Sequence, residues 1–478
     1  MSRNAWLKYS AKQKKELEQF TGSYRQFISG HKTERECVKG GVAIAEAHGF
    51  TDLQKQIDAG RPVKPGEKYY LVNQGKDLVL MVIGSEPLTA GMNILGAHID
   101  SPRLDLKQHP LYENHEIALA DTHYYGGIKT YQWVTLPLAL HGVVCRKDGT
   151  TVEICVGEDP DDPVVGVSDL LIHLARKQME KKGSEVIEGE DLNVTVGSIP
   201  LAEPLDAEEK KIGQLLGERY GLGEQGRVEA NLLKLIKKKY GIDKDDLMSA
   251  EIEVVPAGPA RDYGLDRSMI MGYGQDDRSC AYCALSALMA VEKPRRTAVC
   301  LLVDKEEIGS VGATGMTSCF FENTVAELLH LQGHDEALAV RRALAHSKML
   351  STDVAAAYDP NYPDVNEMKN TAFFGHGVVI NKYTGARGKS GCNDANPEFI
   401  AALRRIWDEQ DVSWQSAELG KVNAGGGGTI AYIMARYNMQ VIDSGVAVQN
   451  MHSPWEVTSK SDLYEAYQAY RVFLETMD

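Results

Sequence analysis

The sequence predicts an α/β protein in which a mixed helix–strand layer is interrupted by a β-rich insertion. Three observations predict it. First, Thr297-Ala298-Val299-Cys300-Leu301-Leu302-Val303 is a short, continuous apolar run that stops at Asp304-Lys305-Glu306-Glu307-Ile308-Gly309-Ser310. Such a run reads as a strand buried on both faces of a parallel sheet. Second, helix and strand patterns alternate before about residue 106 and again after about 256, while the stretch between them holds short strands and turns. Third, many of the 45 glycines fall at expected strand-to-loop junctions. The resulting plan is a discontinuous domain over 1–106 and 256–478, with an inserted domain over 107–255.

Bulk properties narrow the classes. With 478 residues, the chain has room for about two to four domains and a substantial core. Hydrophobic residues at 43% and charged residues at 25% are globular proportions. A net charge of −15 argues against nonspecific nucleic-acid binding. No apolar run is long enough to span a bilayer, and the start, Met1 to Lys8, lacks the apolar centre of a signal peptide. Eight scattered cysteines without such a signal point to free thiols and a cytoplasmic location.

The elements follow in order. Residues 5–48 read as two helices, the second opened by a capping box of Thr33 and Glu36. Tyr69–Val72 and Leu78–Ile83 flank Asn73-Gln74-Gly75-Lys76 as a hairpin. Met92 to Asp100 forms a further strand. In the insertion, 134–138 and 151–156 read as strands, and the Lys- and Glu-rich stretch 207–248 as a solvated helical segment. Beyond 256, helices are expected at 277–291, 322–330, 336–346 and 396–409. Strands are expected at 298–303, 352–357, 376–381 and 440–448.

Several familiar signatures fail. Arg387-Gly388-Lys389-Ser390 is not a P-loop, because Tyr383 stands where the first glycine is required. Gly425-Gly426-Gly427-Gly428-Thr429 before a helix suits close packing as well as a phosphate cradle. Cys280 and Cys283 form a lone C-x-x-C in an apolar helical pattern, which favours buried structural thiols. His115-Glu116 has Leu119 in place of the second histidine of a thermolysin-type motif.

A different constellation holds. Glu306 and Glu307 stand where an open α/β sheet binds ligands, outside the carboxyl end of a strand. Adjacent acids point apart, so one can ligate a metal while the other takes a proton from water. His98 and Asp100 are two residues apart, a spacing that suits a ligating imidazole backed by a carboxylate. Asp276 precedes a helix, Asp353 is the single acid of Ser351–Ala355, and His452 follows a strand.

In this order, Gly96-Ala97-His98-Ile99-Asp100-Ser101-Pro102, Gln275-Asp276-Asp277-Arg278, Asp304–Ser310, Ser351–Ala355, Asp359-Pro360-Asn361-Tyr362 and Met451-His452-Ser453 resemble the aspartyl aminopeptidase family of tetrahedral dizinc aminopeptidases, in a bacterial or archaeal branch. The resemblance spans nearly the whole chain. It implies a zinc-peptidase-like α/β sandwich with an inserted β-rich dimerisation domain, and release of N-terminal amino acids from peptides. It implies two zinc ions per subunit, held by His98, Asp276, Glu307, Asp353 and His452, with Asp276 bridging. It implies Glu306 as general base and Asp100 as the partner of His98. His173, in Ile172-His173-Leu174-Ala175-Arg176, would contact a neighbouring subunit's site in a dodecamer built from dimers. Cobalt or manganese also suits such nitrogen and oxygen ligands.

The chain departs from aspartyl-preferring members where Ala356 and Asp359 replace two histidines, so the N-terminal preference is either acidic or broader. Other readings stay open from the residues alone. A dizinc carboxypeptidase or amide deacylase would clamp a carboxylate with Arg278 or Arg387. A non-catalytic, metal-stabilised assembly protein would need no general base. A thiol-redox protein would use Cys280 and Cys283.

Overall fold

The central strands show why the fold is layered. In Asp77–Val82, Met92–His98 and Thr297–Val303 every residue is buried. Alternate side chains serve opposite faces: Leu78, Leu80, Leu95, Ala97, Cys300 and Leu302 join one core, while Val79, Met81, Ile94, Val299 and Leu301 join another. This is the period-two pattern of a strand covered on both sides. The computed structural model describes residues 4–202 and 226–478.

The chain divides into two units, one of 1–101, 259–451 and 455–478, the other of 102–258 with 452–454. In the first, a nine-stranded mixed sheet carries the central strands. Met92–His98 lies between Thr297–Val303 and Lys348–Ser351, parallel to both, with Val303 opposite His98 and Ser351 opposite Gly96. All three strands therefore deliver their carboxyl ends to the same edge of the sheet. Helices Ala11–Gly30, Glu34–Ala47, Gln275–Met289, Pro397–Glu409 and Lys460–Thr476 contribute to the first core. Phe320–Leu331, Ala337–Ala345 and Ala431–Ala435 contribute to the second. A smaller sheet links Arg261–Tyr263, Met269–Gly272, Glu456–Ser459, Ala447–Gln449 and Ala355–Ala356.

The second unit is built on a six-stranded antiparallel sheet whose long strands are Arg103–Asn114, Ile117–Tyr125, Leu138–Cys145 and Ala250–Pro256. The helix Arg227–Tyr240 falls inside the charged stretch expected at 207–248, whose part through residue 225 lies outside the described residues.

The capping box of Thr33 and Glu36 forms, as does the hairpin at 68–82. Three expected strands are corrected. Val134–Pro137 is not a strand; Trp133 and Val134 are buried, but Thr135 takes φ +58° and Pro137 has no N–H to give, so pairing begins at Leu138. The strand expected at 352–357 forms only at Ala355–Ala356, and a separate strand, Lys348–Ser351, precedes it. Lys348–Ser351 pairs in the large sheet and Ala355–Ala356 in the small one, so the chain changes sheets at Thr352–Val354. The expected 440–448 strand changes sheets in the same way, between Gln440–Gly445 and Ala447–Gln449.

Candidate active site

The changes of sheet create the site. His98 ends its strand, Glu306 and Glu307 open the loop one residue pair beyond Thr297–Val303, and Asp353 sits in the break after Lys348–Ser351. Gly445 lets that break pass close by: a Cβ there would stand 1.9 Å from the Asp353 carbonyl oxygen. From across the sheet edge, Gln275–Met289 presents Asp276 and Asp277 in its first turn, both buried.

These segments converge on one imidazole. His98 is 1% exposed. Its Nε2 lies 3.1 Å from Asp276 Oδ1, 3.9 Å from Glu306 Oε2 and 3.9 Å from Asp353 Oδ1. His98, Asp276 and Glu307 each offer an atom within 4.8 Å of the others, and so do His98, Asp277 and Asp353. On the other side of the ring, Nδ1 faces the Asp100 carbonyl oxygen at 3.0 Å and Oδ1 at 3.2 Å. Two acceptors there put the proton of a neutral ring on Nδ1, which turns the Nε2 lone pair toward carboxylates.

That arrangement is repulsive unless a cation intervenes. Burial and neighbouring carboxylates hold Asp277 and Asp353 well above the usual carboxylate range. Burial pulls the His98 imidazole down, but hydrogen bonds to Asp100 and Asp276 outweigh it and raise it, so the Nε2 position facing Asp276 favours a cation, whether a proton or a metal. Donors held roughly 2.0–2.2 Å from one zinc lie about 3–4 Å from one another, the spacing seen around Nε2. Both Asp277 carboxylate oxygens are buried with no hydrogen-bond partner. The donor set therefore fits a divalent metal that favours imidazole nitrogen and carboxylate oxygen.

Sequence reading missed the supports of Asp276. Glu456 Oε2 accepts the N–H groups of Gln275 at 2.6 Å and Asp276 at 3.2 Å, and Ser101 Oγ donates to the Asp276 carbonyl at 2.7 Å. Glu456 lies 180 residues from Asp276, and no local pattern signals the pairing. The two remaining histidines belong to the second unit. His452 takes φ +64°, and its Nδ1 lies 2.8 Å from the Gly127 carbonyl. His173 is exposed in a turn that precedes the short helix Arg176–Met179.

A family model described as the aminopeptidase I zinc metalloprotease family, M18, matches residues 27–474. A probable M18 family aminopeptidase 1 of Clostridium acetobutylicum is 57% identical over 472 residues, covering 99% of this chain and 98% of its own. The crystal structure of an M18 aminopeptidase from Thermotoga maritima superposes with a TM-score of 0.91 at 42% identity, covering 100% of both chains. That of aminopeptidase I from Clostridium acetobutylicum gives 0.88 at 55% identity, covering 99% of this chain and 98% of the other.

Proposed function

The chain belongs to the M18 family of zinc aminopeptidases, and on that premise we propose a dizinc site in which Glu306 is the general base. The observation that carries this is the buried His98 imidazole, backed by Asp100 and ringed by Asp276, Asp353 and Glu306 within 3.9 Å. His98, Asp276, Glu307 and Asp353 would hold the metals, with Asp276 shared. His452 completes the set by the sequence resemblance alone.

Zinc in such a site brings the pKa of bound water to about 7 and polarises a carbonyl oxygen. Glu306 accepts the proton of the attacking water and returns it to the departing amine nitrogen. Asp100 holds the His98 ring in one orientation and tautomer. Glu456 and Ser101 keep the Asp276 backbone from shifting.

The substrates would be peptides with a free N-terminal amine. Ala356 and Asp359, in place of the family's two histidines, favour a preference broader than acidic residues. The assembly we propose is a dodecamer built from dimers, with His173 reaching a neighbouring subunit. A yeast neighbour sharing the fold at 19% identity is described as a dodecamer. All eight cysteines are free, which supports a cytoplasmic location. No helix among the described residues is long and apolar enough to cross a membrane.

Metal counting on purified protein, joined to assays of Asp-, Glu-, Leu- and Lys-terminated peptides with and without chelator, tests the reading. About two metals per chain and chelator-sensitive release of N-terminal residues are expected. Cleavage of N-acetylated in preference to free-amine peptides would instead favour a deacylase or carboxypeptidase. Less than one metal per chain would sink the ligand set.

A further inference from the structure

Two sequence motifs that fail as phosphate loops meet in space. The segment Tyr383–Lys389 and the segment Glu418–Gly426 line one pocket of about 210 Å³ in the first unit. Their approach depends on glycine: a Cβ on Gly426, at φ +136°, would lie 2.6 Å from Ala386 Cα. Gly427 N–H donates to the Thr384 carbonyl at 2.9 Å, locking one loop to the other.

The lining is basic although the protein as a whole is strongly acidic. Arg387, Lys389 and Lys421 face a single acid, Glu418, whose Oε1 already accepts the Tyr383 hydroxyl at 2.7 Å. Lys389 is partly committed, 2.9 Å from Asp394 Oδ2 and 3.8 Å from the centre of the Tyr383 ring. Arg387 and Lys421 have no ion-pair partner among the described residues. Arg387, Gly388 and Lys389 hold φ of +44°, +70° and +65°, and the two side-chain-bearing residues flanking the glycine cost free energy that a functional loop tolerates. The independent sign of a ligand is Thr384. It lines the pocket and is 8% exposed, yet its Oγ1 is buried without a hydrogen-bond partner. An unused buried hydroxyl is costly unless something else fills the donor's need.

We propose that this pocket is an oxyanion subsite that takes a carboxylate or phosphate group, held by Arg387, Lys421 and the Thr384 hydroxyl. Arginine suits it because its planar fork binds two oxygens at once. The volume admits one such group with a few waters, each of which occupies about 30 Å³. The pocket is tied to the reaction centre. Thr429, three residues after Gly426, donates to Asp443 Oδ1 at 2.6 Å, and Asp443 stands opposite Ser351, two residues before Asp353. The oxyanion has two sources: a carboxylate of a bound peptide, which rests on the aminopeptidase reading above, or a free anion, which does not.

Inorganic phosphate titrated calorimetrically into the metal-loaded enzyme is the first arm. Arg387→Ala, Lys421→Ala and Thr384→Val should each weaken binding by about fivefold or more. Arg387 and Lys421 are exposed, so their removal leaves the core intact even if Thr384→Val lowers the melting temperature. The second arm compares KM for Leu-Gly-Gly with its C-terminal amide. A preference for the free carboxylate that disappears in Arg387→Ala identifies the peptide as the source. Phosphate binding with equal KM values identifies a free anion. Phosphate affinity unchanged in all three variants, or no phosphate binding together with equal KM values, overturns the proposal. If neither peptide is cleaved while phosphate binding still depends on Arg387, the subsite stands and the aminopeptidase reading fails.

Discussion

Asp100 Oδ2 accepts the backbone N–H of Glu307 at 3.2 Å. The same carboxylate accepts the N–H of Glu306 through Oδ1 at 3.2 Å, and Oδ1 also lies 3.2 Å from His98 Nδ1. One fully buried carboxylate thus fixes the ring of a proposed ligand, the backbone of a second ligand and the backbone of the proposed base. Asp100→Ala should therefore disturb both metal and chemistry. Loss of such an outer partner lowers metal affinity by about 10–100-fold. Competition with a chromogenic chelator measures it, and wild-type affinity in the variant would deny Asp100 this role.

Adjacent acids with different tasks should separate by mutation. Glu306→Gln keeps the ligands and removes the base, so metal content should stay full while kcat falls by roughly 10²–10⁴-fold. Glu307→Gln and Asp276→Asn should lose metal, because each removes a charge that the ion needs. Metal counting beside kcat distinguishes the two classes. Full metal in Asp276→Asn would rule out the shared ligand, and ordinary turnover in Glu306→Gln would remove it from catalysis.

The convergence of His98, Asp276 and Glu306 was legible in the sequence because each stands near a strand end or helix start that announces itself locally. The Thr297–Val303 run forces Glu306 to the sheet edge, and the glycine before Gln275 marks a helix start at Asp276. What was not legible depends on distant partners. Asp353 was expected inside one strand, yet it lies between two sheets because its neighbours pair with Gln440–Gly445 on one side and Ala447–Gln449 on the other. Glu456 and Ser101 hold the Asp276 backbone through contacts no periodicity reveals. Asp277, adjacent to Asp276 and with no sequence pattern of its own, is fully buried with unpartnered oxygens beside His98 and Asp353.

The capping box at the second helix can be weighed directly. Thr33 Oγ1 accepts the Glu36 N–H at 3.2 Å, and Glu36 Oε2 accepts the Thr33 N–H at 3.1 Å. Thr33 is 1% exposed, so water cannot replace its hydroxyl. Thr33→Ala should cost about 1–2 kcal/mol. Urea unfolding would read it as a lower midpoint at unchanged slope, with peptidase activity below the transition unaltered. An unchanged midpoint would mean that the helix start is held by its packing alone.

A second stability test follows from Asp462, which is fully buried near the start of the Lys460–Thr476 helix. Its carboxylate accepts the N–H of Gly375 at 2.9 Å and of Gly377 at 2.8 Å. Burial pushes its pKa up to about 7, the two N–H bonds and Ser461 pull it down, and the nearby Glu465 carboxylate adds to the rise. A carboxyl raised in the folded state binds its proton more tightly there than in the unfolded chain. Its contribution is therefore fully present below about pH 4 and is lost as pH rises through about 7. The loss is on the order of 4 kcal/mol at most, from roughly three pH units at 1.36 kcal/mol each. Asp462→Asn cannot ionise and escapes this loss, although one N–H then faces an amide nitrogen at every pH. The stability of Asp462→Asn relative to wild type should accordingly rise between pH 4 and 8. Denaturant midpoints of both proteins across that range check the slope. Parallel curves would mean that the Gly375 and Gly377 amides hold Asp462 ionised throughout, with the cost of its burial already met by those two bonds.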